Sequence, residues 1–355
     1  MSIRIRIHDG TASLSHSRSD AESTVIRTAM IEARGALLHW DAASDARFPD
    51  AEIHSPVEAA GWLADIYGHD IAAAIDVGDD IALPLPDHAG LVDATHHLAV
   101  LTWARDWWPA GIRTPALSVP VLAAEIAVAV HAVEHLLDDE DAVERALRDA
   151  ADAATALAAV PQALRAEAAA LLHALAELAE DHAVELRPAA SAASQDWALA
   201  AGARIPVGAG IEIGHGTAPV RWSDVPAQTV AADSDAQWSL RHVDGVPHLQ
   251  VTVVAVPGVG VPGAPARLRA RFGPESLRID LPLRGDGDAF TGSIPVVASV
   301  ALLPLDQRIL WVRDPVLAPT PGPAEIEADR DAVRAHAVRR LADPAASIAE
   351  RMAGE

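Results

Sequence analysis

Residues 237–256, QWSLRHVDGVPHLQVTVVAV, decide how this chain is read. Gln237 to Arg241 alternates, with Trp238 and Leu240 apolar and Ser239 between them, which is the period of a half-buried strand. Asp244-Gly245 follows, a dipeptide suited to a tight hairpin because both central residues of that turn take positive φ. Leu249 to Val256 is a second and clearer strand. The spacing predicts further strands over Arg267–Phe272, Leu277–Leu283, Phe290–Pro295 and Arg308–Arg313, with Asp286-Gly287-Asp288 as a turn. Trp238 is expected in the core of a central strand, with Leu240 beside it and Ser239 on the opposite face.

Working back toward the N-terminus, the composition changes around Ala201. Pro, Gly and β-branched residues give way to Ala and Leu, and the apolar period becomes helical. Ser55-Pro56 followed by Glu58 predicts a helix through Tyr67. Leu91–Trp108 is a second helix, stopped by Pro109. Pro120 opens a third, expected to run to Leu137. The acids Asp138 to Asp141 suit the positive end of a fourth, Glu140–Ala159, and Pro161–Leu186 is the fifth. Short connections imply a bundle of antiparallel neighbours.

The two ends are smaller. Ile3, Ile5 and Ile7 alternate with Arg4, Arg6 and His8, and Asp9-Gly10 turns the chain back through Thr11–His16. Ser19-Asp20-Ala21-Glu22 has capping-box spacing, and Val25, Ile26, Ala29, Met30 and Ala33 predict a helix stopped by Gly35. Leu37–Trp40 then completes a ββαβ-like lobe. At the other end Pro323–Leu341 predicts an amphipathic helix, with Glu325, Glu327 and Asp329 near its start and Arg334, Arg339 and Arg340 near its end. The expected fold is therefore α+β. It has a small hairpin/helix lobe over 1–50, a helical bundle over 51–200, an antiparallel sandwich over 205–318 and a C-terminal helix over 323–355. In strand count and spacing the sandwich resembles immunoglobulin-like and fibronectin-III-like modules, although a chain without Cys has no immunoglobulin disulfide.

Composition excludes several chemistries. All 27 basic residues are Arg, so P-loop lysines and Schiff-base lysines are absent. Without Cys there is no thiolate nucleophile, iron–sulfur cluster or zinc–thiolate site. A net charge of −23 disfavours nucleic acid and favours a basic protein partner. The Ile-Arg alternation at the start is not a signal-peptide pattern, and the most apolar helix carries Glu125, His131, Glu134 and His135. Both observations predict a cytoplasmic chain that does not cross a membrane.

Two patterns could carry chemistry. His131-Ala-Val-Glu134-His135 places two His four apart on a predicted helix, the spacing with which paired imidazoles hold zinc, and Glu134 could serve as general base on a metal-bound water. The spelling H-x-x-E-H resembles the inverted zinc-protease motif. The third ligand is open, with Glu167, Glu177 and Glu180 available and Glu212 at a more family-like distance. The second pattern is His96, Val100, Trp103 and Trp107 on one face of Leu91–Trp108; Asp93-Ala-Thr-His96 has carboxylate–His spacing that could bring His96 toward a metal with His131 and His135. Gly208 to Gly214 precedes strands and has no helix N-terminus with which to hold phosphate. The bland readings are a solvated His/Glu face and a core helix with a satisfied His. They favour a non-catalytic interaction or scaffold component of a cytoplasmic multi-protein system. The alternative is a zinc hydrolase-like enzyme with His131, His135 and His96 as ligands and Glu134 as catalytic base.

Overall fold

A computed structural model describes residues 2–8, 10–16, 24–78, 81–86, 90–186, 210–257, 267–318 and 325–355. The chain is mixed α+β and forms two compact units. The first comprises Met1–Asp106, Leu117–Ser191 and Pro323–Glu355; the second comprises Trp107–Ala116 and Ala192–Gly322.

The first unit opens with strands β1 (Ser2–His8), β2 (Thr11–His16), β3 (Thr28–Ala33), β4 (Ala36–Asp41) and β5 (Asp50–Ile53). Helices α1 (Pro56–Tyr67) and α2 (His69–Val77), strand β6 (Ala82–Pro84), and α3 (Gly90–Trp107), α4 (Val119–Ala132), α5 (Ala142–Asp149), α6 (Ala153–Ala158) and α7 (Arg165–Asp181) follow. The strands form one antiparallel sheet in the order β3-β4-β5-β2-β1-β6. Helix α4 packs against α5, α6 and α7.

Three expectations are corrected here. The helix expected over Val25–Ala33 is a single 3₁₀ turn followed by β3. Ala29, Ile31 and Ala33 point into the core while Met30 and Glu32 point out, so period 2 prevails over an equally legible period of 3.6. Gly35, at φ +73°, turns β3 into β4 so that Ala33 faces Ala36. The Ser19–Glu22 capping box lies outside the described residues. Helix α4 ends at Ala132 rather than Leu137, because the next residues are claimed by the edge of the sheet. Arg34 donates its backbone N–H to the Leu136 carbonyl at 2.8 Å, its Nε donates to the Leu137 carbonyl at 3.0 Å, and Leu137 pairs with Ala33. The helix expected over Glu140–Ala159 is split into α5 and α6.

The second unit contains β7 (Ile211–Ala218), β8 (Ala236–Val243), β9 (Val246–Val254), β10 (Arg269–Phe272), β11 (Ile279–Pro282), β12 (Arg284–Asp286), β13 (Ala289–Pro295), the single-turn helix α8 (Ala298–Ala301) and β14 (Leu310–Arg313). Two antiparallel sheets, ordered β12-β13-β9-β8-β7 and β11-β10-β14, share one apolar core. Asp244 and Gly245 both take positive φ and join β8 to β9 with Val243 paired to Val246, so β9 starts three residues before the expected Leu249. Trp238 and Leu240 are buried and Ser239 is half-buried, as the alternation required. The Trp238 indole lies across β7, where a Cβ on Gly216 would stand 2.7 Å from the ring. Gly216 therefore makes room for the tryptophan, while a Cβ on Gly214 would meet Arg308.

The chain returns to the first unit as α9 (Glu327–Leu341) and α10 (Ile348–Gly354). Ser347 and Glu350 cap α10 reciprocally, and α10 packs against α4 and α9. Among the described residues no helix is long and apolar enough to cross a membrane.

Candidate functional site

His131 sits in the last turn of α4, and Glu134 follows in the turn beyond the helix end. The His131 Nδ1 is 3.1 Å from Glu134 Oε2. Opposite them stands His182, the residue that caps α7, with its ring edge-on to His131 at a centroid distance of 6.0 Å. One ligand atom from each of His131, Glu134 and His182 lies within 4.8 Å of the others. The α7 terminus is held by a backbone bond from Val184 N–H to the Ala179 carbonyl at 2.8 Å, with Ala183 in the left-handed region at φ +52°. Two imidazoles and a carboxylate are a donor set for zinc or a neighbouring transition ion rather than for calcium or magnesium.

The sequence named part of this group. His131 and Glu134 meet, but His135 is exposed in the turn and does not join them, since α4 has already ended. His96 is also outside the group: it is half-buried on α3, with its ring 5.9 Å from Trp40. Burial holds the His96 imidazole below its ordinary pKa, as expected of a core-facing histidine. Glu167 is committed elsewhere, to a salt bridge with Arg351. His182, absent from the sequence reading, carried one usable signal: a His at the end of an Ala/Leu-rich helix, where a cation is favoured.

A second polar assembly lies inside the first unit. The Glu125 carboxylate, on α4, accepts the backbone N–H groups of Ile348 at 2.6 Å and Ala349 at 3.1 Å, at the start of α10. Arg340 donates to both oxygens of Glu350 at 2.8 and 2.6 Å, and Glu350 Oε2 accepts the Ser347 N–H at 2.9 Å. Burial raises Glu125 to about 7 against the opposing pull of those two N–H bonds, and neighbouring Glu350 adds to the rise. His336 packs edge-on to Trp103, and burial together with Arg340 lowers it to about 4. Asp329 accepts from Thr24 and Arg27, tying α9 to the start of β3. These groups hold elements together and line neither of the two cavities described next.

The first cavity, about 250 Å³, lies between the β3 edge and α3, α4 and α5, with Leu98, Ile126 and Val130 on its walls and Arg105, Arg145 and Asp149 among its polar residues. The second, an open groove of about 740 Å³ in the second unit, is bordered by Leu277, Ile279, Ile294, Val297 and Val300. Comparison with protein families, curated proteins and solved structures finds no match to this chain.

Proposed function

We propose that the protein is a non-catalytic interaction component whose binding surface lies on the two-sheet unit. One observation carries this reading: five large apolar side chains between residues 297 and 311 are exposed. Val297 is 63% exposed, Leu302 81%, Leu305 79%, Ile309 44% and Trp311 45%. Val297 also borders the groove beside α8. Leaving such side chains in water forgoes about 1.5–3 kcal/mol for each that a partner could bury. Arg271 lies over the Trp311 ring at 5.5 Å, and Trp and Arg are the residue types that anchor interfaces. The setting we propose is a cytoplasmic multi-protein system, and the net charge of −23 favours a basic partner.

An immunoglobulin-like plan for this unit belongs to the same proposal. The run β12-β13-β9-β8 follows the D-E-B-A order of such a sheet, and β10 beside β14 follows C beside F. In that mapping β7 and β11 are additional and the last strand has no counterpart among the described residues. Affinity capture with the wild-type chain and with L302D/L305D tests the function. A partner retained in proportion by the wild type and lost from the double variant is the expected result. Equal recovery by both sinks this surface as the binding site.

A second reading, metal-dependent hydrolysis at the end of α4, is favoured by the meeting of His131 and Glu134 with His182. It predicts hydrolase activity that a chelator abolishes and zinc restores.

A further inference from the structure

We propose that His131, Glu134 and His182 form a site for a single transition-metal ion of the zinc class, joining the C-terminal ends of α4 and α7. The three residues belong to the first unit, and binding does not require that the ion be catalytic.

Geometry supports it first. Ligand atoms around one tetrahedral zinc, at bonds of about 2.0–2.2 Å, stand roughly 3.3 Å apart. The three here are within 4.8 Å of one another, and His131 and Glu134 are already at 3.1 Å. Closing the remainder takes at most about 1.5 Å of movement by exposed and half-buried side chains, which rotamer adjustment supplies.

Electrostatics support it second. His131 lies in the last turn of α4 and His182 caps α7, so both imidazoles stand where helix carbonyls concentrate negative partial charge. Glu134 adds a full charge. A cation there is favoured by both helix ends and by the carboxylate together.

The consequence is mechanical. Glu134 belongs to the turn whose Leu136 and Leu137 carbonyls are held by Arg34. A bound ion would fasten that turn to α7 as well. With three protein ligands, the fourth position stays open to water, as in sites that exchange a ligand.

The test uses the full chain, stripped with a chelator and titrated with zinc chloride alone against a competing chelator, so that weak binding by other His residues is suppressed. One tight equivalent is expected in the wild type. His131→Ala and His182→Ala should each weaken it at least tenfold, Glu134→Gln should weaken it measurably, and His135→Ala should leave it unchanged. Circular dichroism confirms that each variant is folded. Zinc should slow hydrogen exchange of the 134–137 amides, while magnesium and calcium should not. No tight equivalent in the wild type, a His182→Ala chain that binds as well as wild type, or loss on His135→Ala would each overturn the proposal.

Discussion

The two units are held together by different means. In the second, the two sheets share an apolar core, with Trp238 tilted against Phe272 at a centroid distance of 5.0 Å, and among the described residues Asp314 is its one charged residue under a tenth exposed. In the first, charged groups are buried alongside the apolar core: Glu125, Asp329, Arg330, His336 and Glu350 are all under a tenth exposed. An apolar core depends on volume and shape, so it answers to side-chain truncation and is indifferent to pH. A core containing paired charges depends on each partner and on protonation state. The contrast therefore assigns different weaknesses to the two units, and each can be probed separately.

The largest effect is expected in the second unit. Trp238→Ala removes a side chain that is 6% exposed, lies centrally on β8 and covers Gly216 of β7. The cost should be about 3–5 kcal/mol, the range for truncating a buried aromatic. Hydrogen exchange resolved by residue should show faster opening across β8 and β9. A change under about 1 kcal/mol would mean that the two sheets do not depend on this ring.

In the first unit the corresponding break is electrostatic. Arg340→Met leaves Glu350, 1% exposed, without its cation while the neighbouring Glu125 stays in place. The expected loss is about 3 kcal/mol, because an unpaired buried carboxylate keeps its desolvation cost. Arg340→Met with Glu350→Gln should recover at least half of that, since a neutral amide no longer needs a counter-charge and still accepts the Ser347 N–H. Denaturant unfolding of the two single variants and the double variant gives the coupling directly. Additive losses would mean that the ion pair contributes nothing beyond its packing.

The same division separates what could be read in the sequence from what could not. The β8–β9 hairpin was legible because alternation and Asp244-Gly245 are local signals that agree. Helix α1 was legible from Ser55-Pro56, and α3 from the apolar run that Pro109 stops. The β3 strand was hidden because residues 25–33 fit both periods, and the pairing with β4 and with Leu137 decided between them. The end of α4 was hidden for a related reason: Arg34 captures Leu136 and Leu137 from far along the chain. His131 and Glu134 were found through the local H-x-x-E-H spelling, whose His135 does not join them, whereas His182 comes from another helix. The buried carboxylates left no local mark, although Ser347-Ile-Ala-Glu350 has capping-box spelling and could have announced α10.

The smallest of the expected effects is a pH dependence confined to the first unit, with two opposed contributions. Glu125 has a folded pKa of about 7 against an ordinary value of 4.5, so between those values the native state holds a proton that the unfolded chain has released. Its contribution to stability therefore falls as pH rises from about 4.5 to about 7. His336 runs the other way. Its folded pKa of about 4 lies below the ordinary 6.5, so the unfolded chain binds the extra proton and stability rises with pH across that interval. From about 4.5 to 6.5 the two nearly cancel, and each is worth roughly 3–4 kcal/mol in all. Replacing one partner should expose the other. Glu125→Gln should make the first unit gain stability as pH rises from 5 to 6.5, while His336→Asn should make it lose stability over the same range. Urea unfolding at pH 5, 6, 7 and 8, followed by hydrogen exchange in α4 and α9, reads both slopes. If the two variants keep the wild-type slope, neither buried group is linked to folding, and the contrast between the units reduces to packing alone.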